Sequence, residues 1–176
     1  MSNQIIQAYW IPIFQHYRQG ETALPLYMGL DEATFTSLAK SVGADVSLSS
    51  AKVESILQLR LELYQLRSAE LEELETLLSD ALTTTIPLGK EMVRVLACAC
   101  LGSQHLWRDL GMPERPRLSA LFRNYFPSLH AKNVNNMRWK RFLYRQLCEN
   151  GGDYVCRSPS CEECTSYSEC FDLSAK

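Results

Sequence analysis

Apolar side chains recur every three to four residues along most of this chain, and no stretch of any length alternates apolar with polar. A period near 3.6 is that of one buried helix face, so the pattern predicts an all-α fold of about seven helices. Ile5, Ile6, Tyr9, Trp10, Ile13, Phe14 and Tyr17 predict a first helix over 4–17, kinked at Pro12. A loop over 19–29 holds Gly20 and Pro25. Asp31 is placed to cap a second helix with Phe35, Leu38, Ala39 and Val42 inward and Gly43 as its stop. Ser50 caps a third over 51–66, with Val53, Ile56, Leu57, Leu63 and Tyr64 apolar, and Ser68 caps a fourth over 69–82, with Leu71, Leu74, Leu77, Leu78 and Leu82 apolar; the two read as an antiparallel hairpin. After a connector at 83–89, one long fifth helix is expected over 90–110, stopping at Gly111. A sixth spans 118–126 and stops at Pro127. The seventh spans 137–148, capped by Asn135 or Asn136, with Trp139, Phe142, Leu143 and Leu147 on one side, and Asn150, Gly151 and Gly152 break it.

Length and charge refine this picture. With 176 residues, 46% of them hydrophobic, the chain can bury a core of its own. The organisation expected is one unit: a helical domain over 1–150 and a cysteine-rich tail over 151–176 too short to bury a core. No run approaches the roughly 20 apolar residues of a membrane span, and the start lacks a basic segment followed by an apolar one, so a cytoplasmic, reducing setting is expected. Net charge is −2, but residues 1–88 carry 5 basic and 11 acidic groups, and residues 89–176 carry 13 and 9. The cationic half suits an anion or an acidic protein surface; neither nucleic acid nor membrane is expected as a partner. Glu70, Glu72, Glu73 and Glu75, crowding the start of the fourth helix, read as a solvated face favoured by the helix dipole.

The candidate chemistry lies in the tail. Cys156, Cys161, Cys164 and Cys170, spaced C-x4-C-x2-C-x5-C, are four of the chain's seven cysteines. Short loops bring soft thiolates together at little closure cost, so these four are candidate ligands of one metal centre. Three chemistries fit that spacing. Zinc takes four thiolates, though its knuckles usually lie further apart. An iron–sulfur cluster, being larger than one ion, can be reached from a single loop, and a cuboidal three- or four-iron type fits better than a two-iron type, whose fourth cysteine lies far downstream. A mixed cluster carries a second metal at one corner. Cys98 and Cys100 read as core residues. Cys148 stands near the loop, as a candidate further ligand or a packing residue. His105 is either a further ligand or a core histidine satisfied by Asp109. Arg138, Arg141 and Arg145 form a stripe along the seventh helix, and with Lys132, Lys140 and Arg157 they make a candidate anion or partner patch. No catalytic constellation is apparent.

The tail from Val155 to Phe171 closely resembles that of the NifQ family, as does the run from Asn136 to Gln146. His105-Leu106-Trp107-Arg108-Asp109-Leu110-Gly111 looks like the family's central motif and Pro25-Leu26-Tyr27-Met28-Gly29-Leu30 like its N-terminal one. The resemblance implies a non-enzymatic carrier of a molybdenum–iron–sulfur cluster, with Cys156, Cys161, Cys164 and Cys170 as its ligands. It implies donation of molybdenum for the nitrogenase iron–molybdenum cofactor, and as partners the assembly scaffold NifEN and the iron protein NifH; molybdate, a dianion, is the anion that the basic patch would then concentrate. Read from the residues without that resemblance, a zinc-stapled interaction module and an electron-transfer iron–sulfur protein are the alternatives.

Overall fold

A computed structural model describes residues 2–151. Among these the fold is all-helical: α1 (Ser2–Arg18), a 3-10 turn (Leu26–Gly29), α2 (Glu32–Val42), α3 (Ala51–Gln65), α4 (Ser68–Ala81), α5 (Gly89–Cys100), α6 (Leu106–Leu110), α7 (Arg115–Tyr125), α8 (Pro127–Lys132) and α9 (Trp139–Gly151). No helix among them is long and apolar enough to cross a membrane.

The chain's own caps set several boundaries. The Asp31 carboxylate accepts the Thr34 amide at 2.9 Å and the Ser50 hydroxyl accepts the Val53 amide at 3.3 Å, each satisfying a first-turn donor left over by the helix. Gly43 and Gly111 close α2 and α6 at φ 71° and 89°, a left-handed geometry that costs glycine nothing. The aromatic stripe of α1 is core, with Trp10, Phe14 and Tyr17 fully buried, and Phe14 meets Phe35 of α2 at 5.5 Å between ring centroids.

Three expectations are corrected. The single helix over 90–110 is two helices separated by a non-helical break at 101–105. Gly102 sits there with Ala23 and the Asp109 carboxylate so close that a Cβ would lie 2.5 Å from either, and the Gln104 amide donates to Asp109 at 3.0 Å. A side-chain contact therefore takes amide and carbonyl groups that a continuous helix would keep. Second, Pro127 begins a helix instead of only ending one: its fixed φ and missing N–H suit a first helical turn, so α8 follows α7 directly. Third, α4 packs chiefly on α5, not on α3, so α3 and α4 are not a close hairpin. α3 lies instead against the 3-10 turn, its Tyr64 hydroxyl donating to the Ala23 carbonyl at 2.7 Å.

Two caps also differ. Ser68 is the first residue of α4, whose N-cap is Arg67. The last helix begins at Trp139, and neither Asn135 nor Asn136 caps it. Its approach is held by Asn133, whose side chain accepts the Met137 amide at 2.8 Å and donates to the Met137 carbonyl at 2.9 Å. These residues place α9 against α4, and its C-terminal end leads into the tail.

Candidate functional site

α9 has two faces. Trp139, Phe142, Leu143 and Leu147 are buried, as their spacing predicts. Trp139 stacks on Phe122 of α7 with centroids 3.8 Å apart and planes 2° from parallel, and its indole N–H donates to the Ser119 hydroxyl at 3.2 Å. This stack fixes the helix rotation. The other face, with Lys140, Arg141, Tyr144 and Cys148, is thereby turned toward a cavity of about 480 Å³. The remaining walls are Arg67 and Glu70 at the start of α4, Cys100 at the end of α5, the break at 102–105, Leu106 and Trp107 of α6, Arg115 and Leu118 of α7, and Arg138 just before α9.

A buried carboxylate anchors the floor. Arg67 grips Glu70 with two parallel bonds of 2.8 Å, Nε to Oε2 and Nη2 to Oε1, and its Nη1 donates to the Leu101 carbonyl at 3.0 Å. The Tyr144 hydroxyl donates to Glu70 Oε1. Paired in this fork, Arg67 is held more firmly protonated than usual, chiefly by its bond to Glu70. Tyr144 is pushed far above an ordinary phenol by burial and then by donating to Glu70, so it stays a neutral donor. Glu70 thus departs from the solvated face expected of it, while Glu72 and Glu73 are exposed and Glu75 pairs with Arg94 at 2.9 Å. The signal was present in the sequence: Glu70 lies four residues before Leu74 and eight before Leu78, on the apolar stripe itself.

A second anchor is the ion pair of Lys140 with the buried Asp109; Lys140 Nζ also donates to the Gly102 carbonyl at 2.8 Å. This joins α9 to the break between α5 and α6. Lys140 is therefore a wall strut whose charge is offset, not an open member of an anion patch. His105 is the N-cap residue of α6 and is exposed. That corrects the reading of it as a core histidine: the Asp109 carboxylate serves Gln104 and Lys140, and the His105 side chain lines the cavity.

The expected basic stripe divides. Arg138 and Arg141 line the cavity with Arg67 and Arg115, and Arg115 donates to the Asn136 carbonyl at 2.7 Å. Lys132 and Arg145 lie apart from it, along a separate depression of about 350 Å³, where Arg145 pairs with Glu149 at 3.0 Å. Arg157 falls outside the described residues.

The cysteines divide as well. Cys98 and Cys100 are buried, and burial pushes both thiols up to about 12, so they remain protonated packing groups. They do not share a metal-binding helix face with His105, because the chain leaves the helix between them. Cys148 is half-buried and lines the cavity in the last turn of α9. Cys156, Cys161, Cys164 and Cys170 lie outside the described residues, among which no three or more histidine, cysteine, aspartate or glutamate side chains converge as a metal site. Sequence reasoning missed Arg67, Glu70, Arg115 and Tyr144, which come from three separate elements, the start of α4, α7 and α9.

The comparisons with known proteins agree on one family. The NifQ family model matches residues 10–172, a span that includes all four tail cysteines. The chain is 43% identical over 164 residues to the protein NifQ of Azotobacter vinelandii, covering 90% of this chain and 84% of that one. It is 34% identical over 157 residues to the protein NifQ of Klebsiella pneumoniae, covering 89% and 92%. No solved structure matches it.

Proposed function

The chain belongs to the NifQ family, and from that premise we propose that it is a metal carrier of nitrogen fixation, not an enzyme, that binds molybdenum in an iron–sulfur centre and donates it for assembly of the iron–molybdenum cofactor. The observation that carries this reading is the tail itself. Cys156, Cys161, Cys164 and Cys170 form a four-thiolate set directly after the helix that lines a cationic cavity. Thiolate is the soft donor that suits an iron–sulfur core, and such a core supplies sulfide bridges able to hold a further metal. The chain's own residues have separate parts in this scheme. The tail cysteines hold the cargo. Arg115, Arg138 and Arg141 raise the local concentration of molybdate, a dianion, beside them. The Glu70–Arg67–Tyr144 cluster and the Lys140–Asp109 pair keep the wall in place. His105 and Cys148 are the additional donors within that wall. The acceptors in this reading are the scaffold NifEN and the iron protein NifH, met in the cytoplasm.

Metal analysis tests it. The chain isolated without oxygen is expected to be brown and to contain iron together with molybdenum, and Cys161→Ala is expected to lose both while keeping its helical circular dichroism. A colourless chain with one zinc and no iron after anaerobic reconstitution would replace the carrier by a zinc-stapled interaction module.

A further inference from the structure

α3 carries two apolar stripes. Val53, Leu57 and Tyr64 are buried and hold it on the fold. Ile56, Leu59, Leu63 and Leu66 form the second, and they are 37%, 56%, 49% and 84% exposed. Single exposed apolar residues are ordinary on a protein surface, but a contiguous group marks a contact. Of the seven large apolar residues exposed among the described residues, these four share one helix face, whereas Ile5, Val46 and Val134 stand on separate elements. Their spacing of three, four and three is that of a coiled-coil seam, with Ile56 and Leu63 at a and Leu59 and Leu66 at d. A repeat of 3.5 residues is matched by another helix lying alongside. Lys52, at the d position one heptad earlier, is exposed and ends the seam, which runs about 15 Å along α3.

A second copy of the chain fits this seam in charge as well as in shape. In a parallel pair, a side chain at g faces the e side chain of the next heptad on its neighbour, and such pairs set partner and orientation. Glu62 holds the g position and Arg67 the following e, so two-fold pairing sets each copy's Glu62 opposite the other's Arg67. Glu62 is exposed, and Arg67 keeps 38% of its side chain exposed beyond its bonds to Glu70 and the Leu101 carbonyl. Isoleucine at a followed by leucine at d, as at Ile56 and Leu59, also favours two strands.

We propose that α3 is a self-association seam: two copies lay their α3 helices side by side in parallel about a two-fold axis and close Ile56, Leu59, Leu63 and Leu66 away from water. The same patch is used on both copies, so the assembly stops at two. Four seam side chains fall short of the roughly 20–30 residues a side of a standard interface, so the pairing is reversible and depends on concentration. One end of the seam reaches the cavity, because Arg67 is also the side chain that grips Glu70 on its floor. The seam is independent of any metal the chain carries.

Sedimentation equilibrium of the whole chain, with chelator and reductant present so that neither metal nor disulfide joins the copies, tests the seam. The mass is expected to rise from the 20.1 kDa of one chain toward twice that value between about 5 and 500 µM. Leu59→Glu/Leu63→Glu is expected to stay at one chain throughout with the circular dichroism of the parent, since both side chains already face water. Glu62→Lys sets like charge against Arg67 and should weaken pairing about tenfold. A mass of one chain at every concentration overturns the seam and leaves the stripe to another protein or to residues 152–176. Pairing that survives Leu59→Glu/Leu63→Glu overturns it by placing the interface elsewhere. Undiminished pairing in Glu62→Lys overturns the parallel arrangement, and a mass growing past two chains overturns the closed pair.

Discussion

At the scale of single residues, environment separates side chains that the sequence writes identically. Cys98, Cys100 and Cys148 are the same thiol in three settings: two are buried and pushed up to about 12, and the third is half-buried beside arginines. Because only the thiolate attacks, alkylation of the native, metal-free chain at pH 8, read by mass spectrometry at each cysteine, should modify Cys148 and spare Cys98 and Cys100 until urea unfolds the chain. Rapid native labelling at Cys98 would contradict the packing role given to it. Glu70 and Glu72 differ in the same way. Two residues apart on a helix, they point to different sides, so one is buried in the Arg67 fork and the other meets water. Lys140 shows the converse, a lysine counted with the basic patch whose charge is answered by Asp109.

At the scale of elements, the break between α5 and α6 shapes the site. Without it His105 would continue the helix and the Gly102 carbonyl would not be available to Lys140. Gly102 makes the break possible, since a Cβ there would lie 2.5 Å from both Ala23 and the Asp109 carboxylate. Gly102→Ala is accordingly expected to cost about 1–3 kcal/mol by overpacking and to loosen the Lys140–Asp109 pair. The check is a lowered urea midpoint together with faster amide exchange at the start of α9. An unchanged midpoint would show that the neighbouring side chains yield easily. The helix pair α7–α8 illustrates a different local rule, in which Pro127 ends one helix and starts the next.

At the scale of the whole molecule, one core built from the nine α-helices of the described residues carries neutral titratable groups that must stay neutral. Burial pushes Cys98, Cys100, Tyr64 and Tyr125 up to about 12, from ordinary values of 9.0 for the thiols and 10.0 for the phenols. Each therefore binds its proton more tightly when folded than when unfolded. Their contribution is fully present below pH 9 and is lost as pH rises toward 12. The urea midpoint of the metal-free chain should be level from pH 7 to 8.5 and fall steadily from about pH 9 upward; a level midpoint to pH 11 would mean that these groups are wetter than their burial implies.

The sequence by itself determined the all-helical class, the apolar stripes, and the caps at Asp31, Ser50, Gly43 and Gly111, because each depends on residues within one or two turns of each other. It also marked Cys156, Cys161, Cys164 and Cys170 as one set, since their closeness along the chain is itself the signal. Tertiary structure alone decided which cations share a wall. Arg67, Arg115 and Arg141 are separated by 48 and 26 positions in sequence and belong to the surroundings of three different helices. The stacking of Trp139 on Phe122, the close packing of Gly102 against Asp109 and the bond of Arg67 to the Leu101 carbonyl are among the contacts that bring those helices together so that the three side chains line one cavity. A contact between distant positions leaves no periodic trace in the chain, which is why the cavity could be found only in the folded molecule.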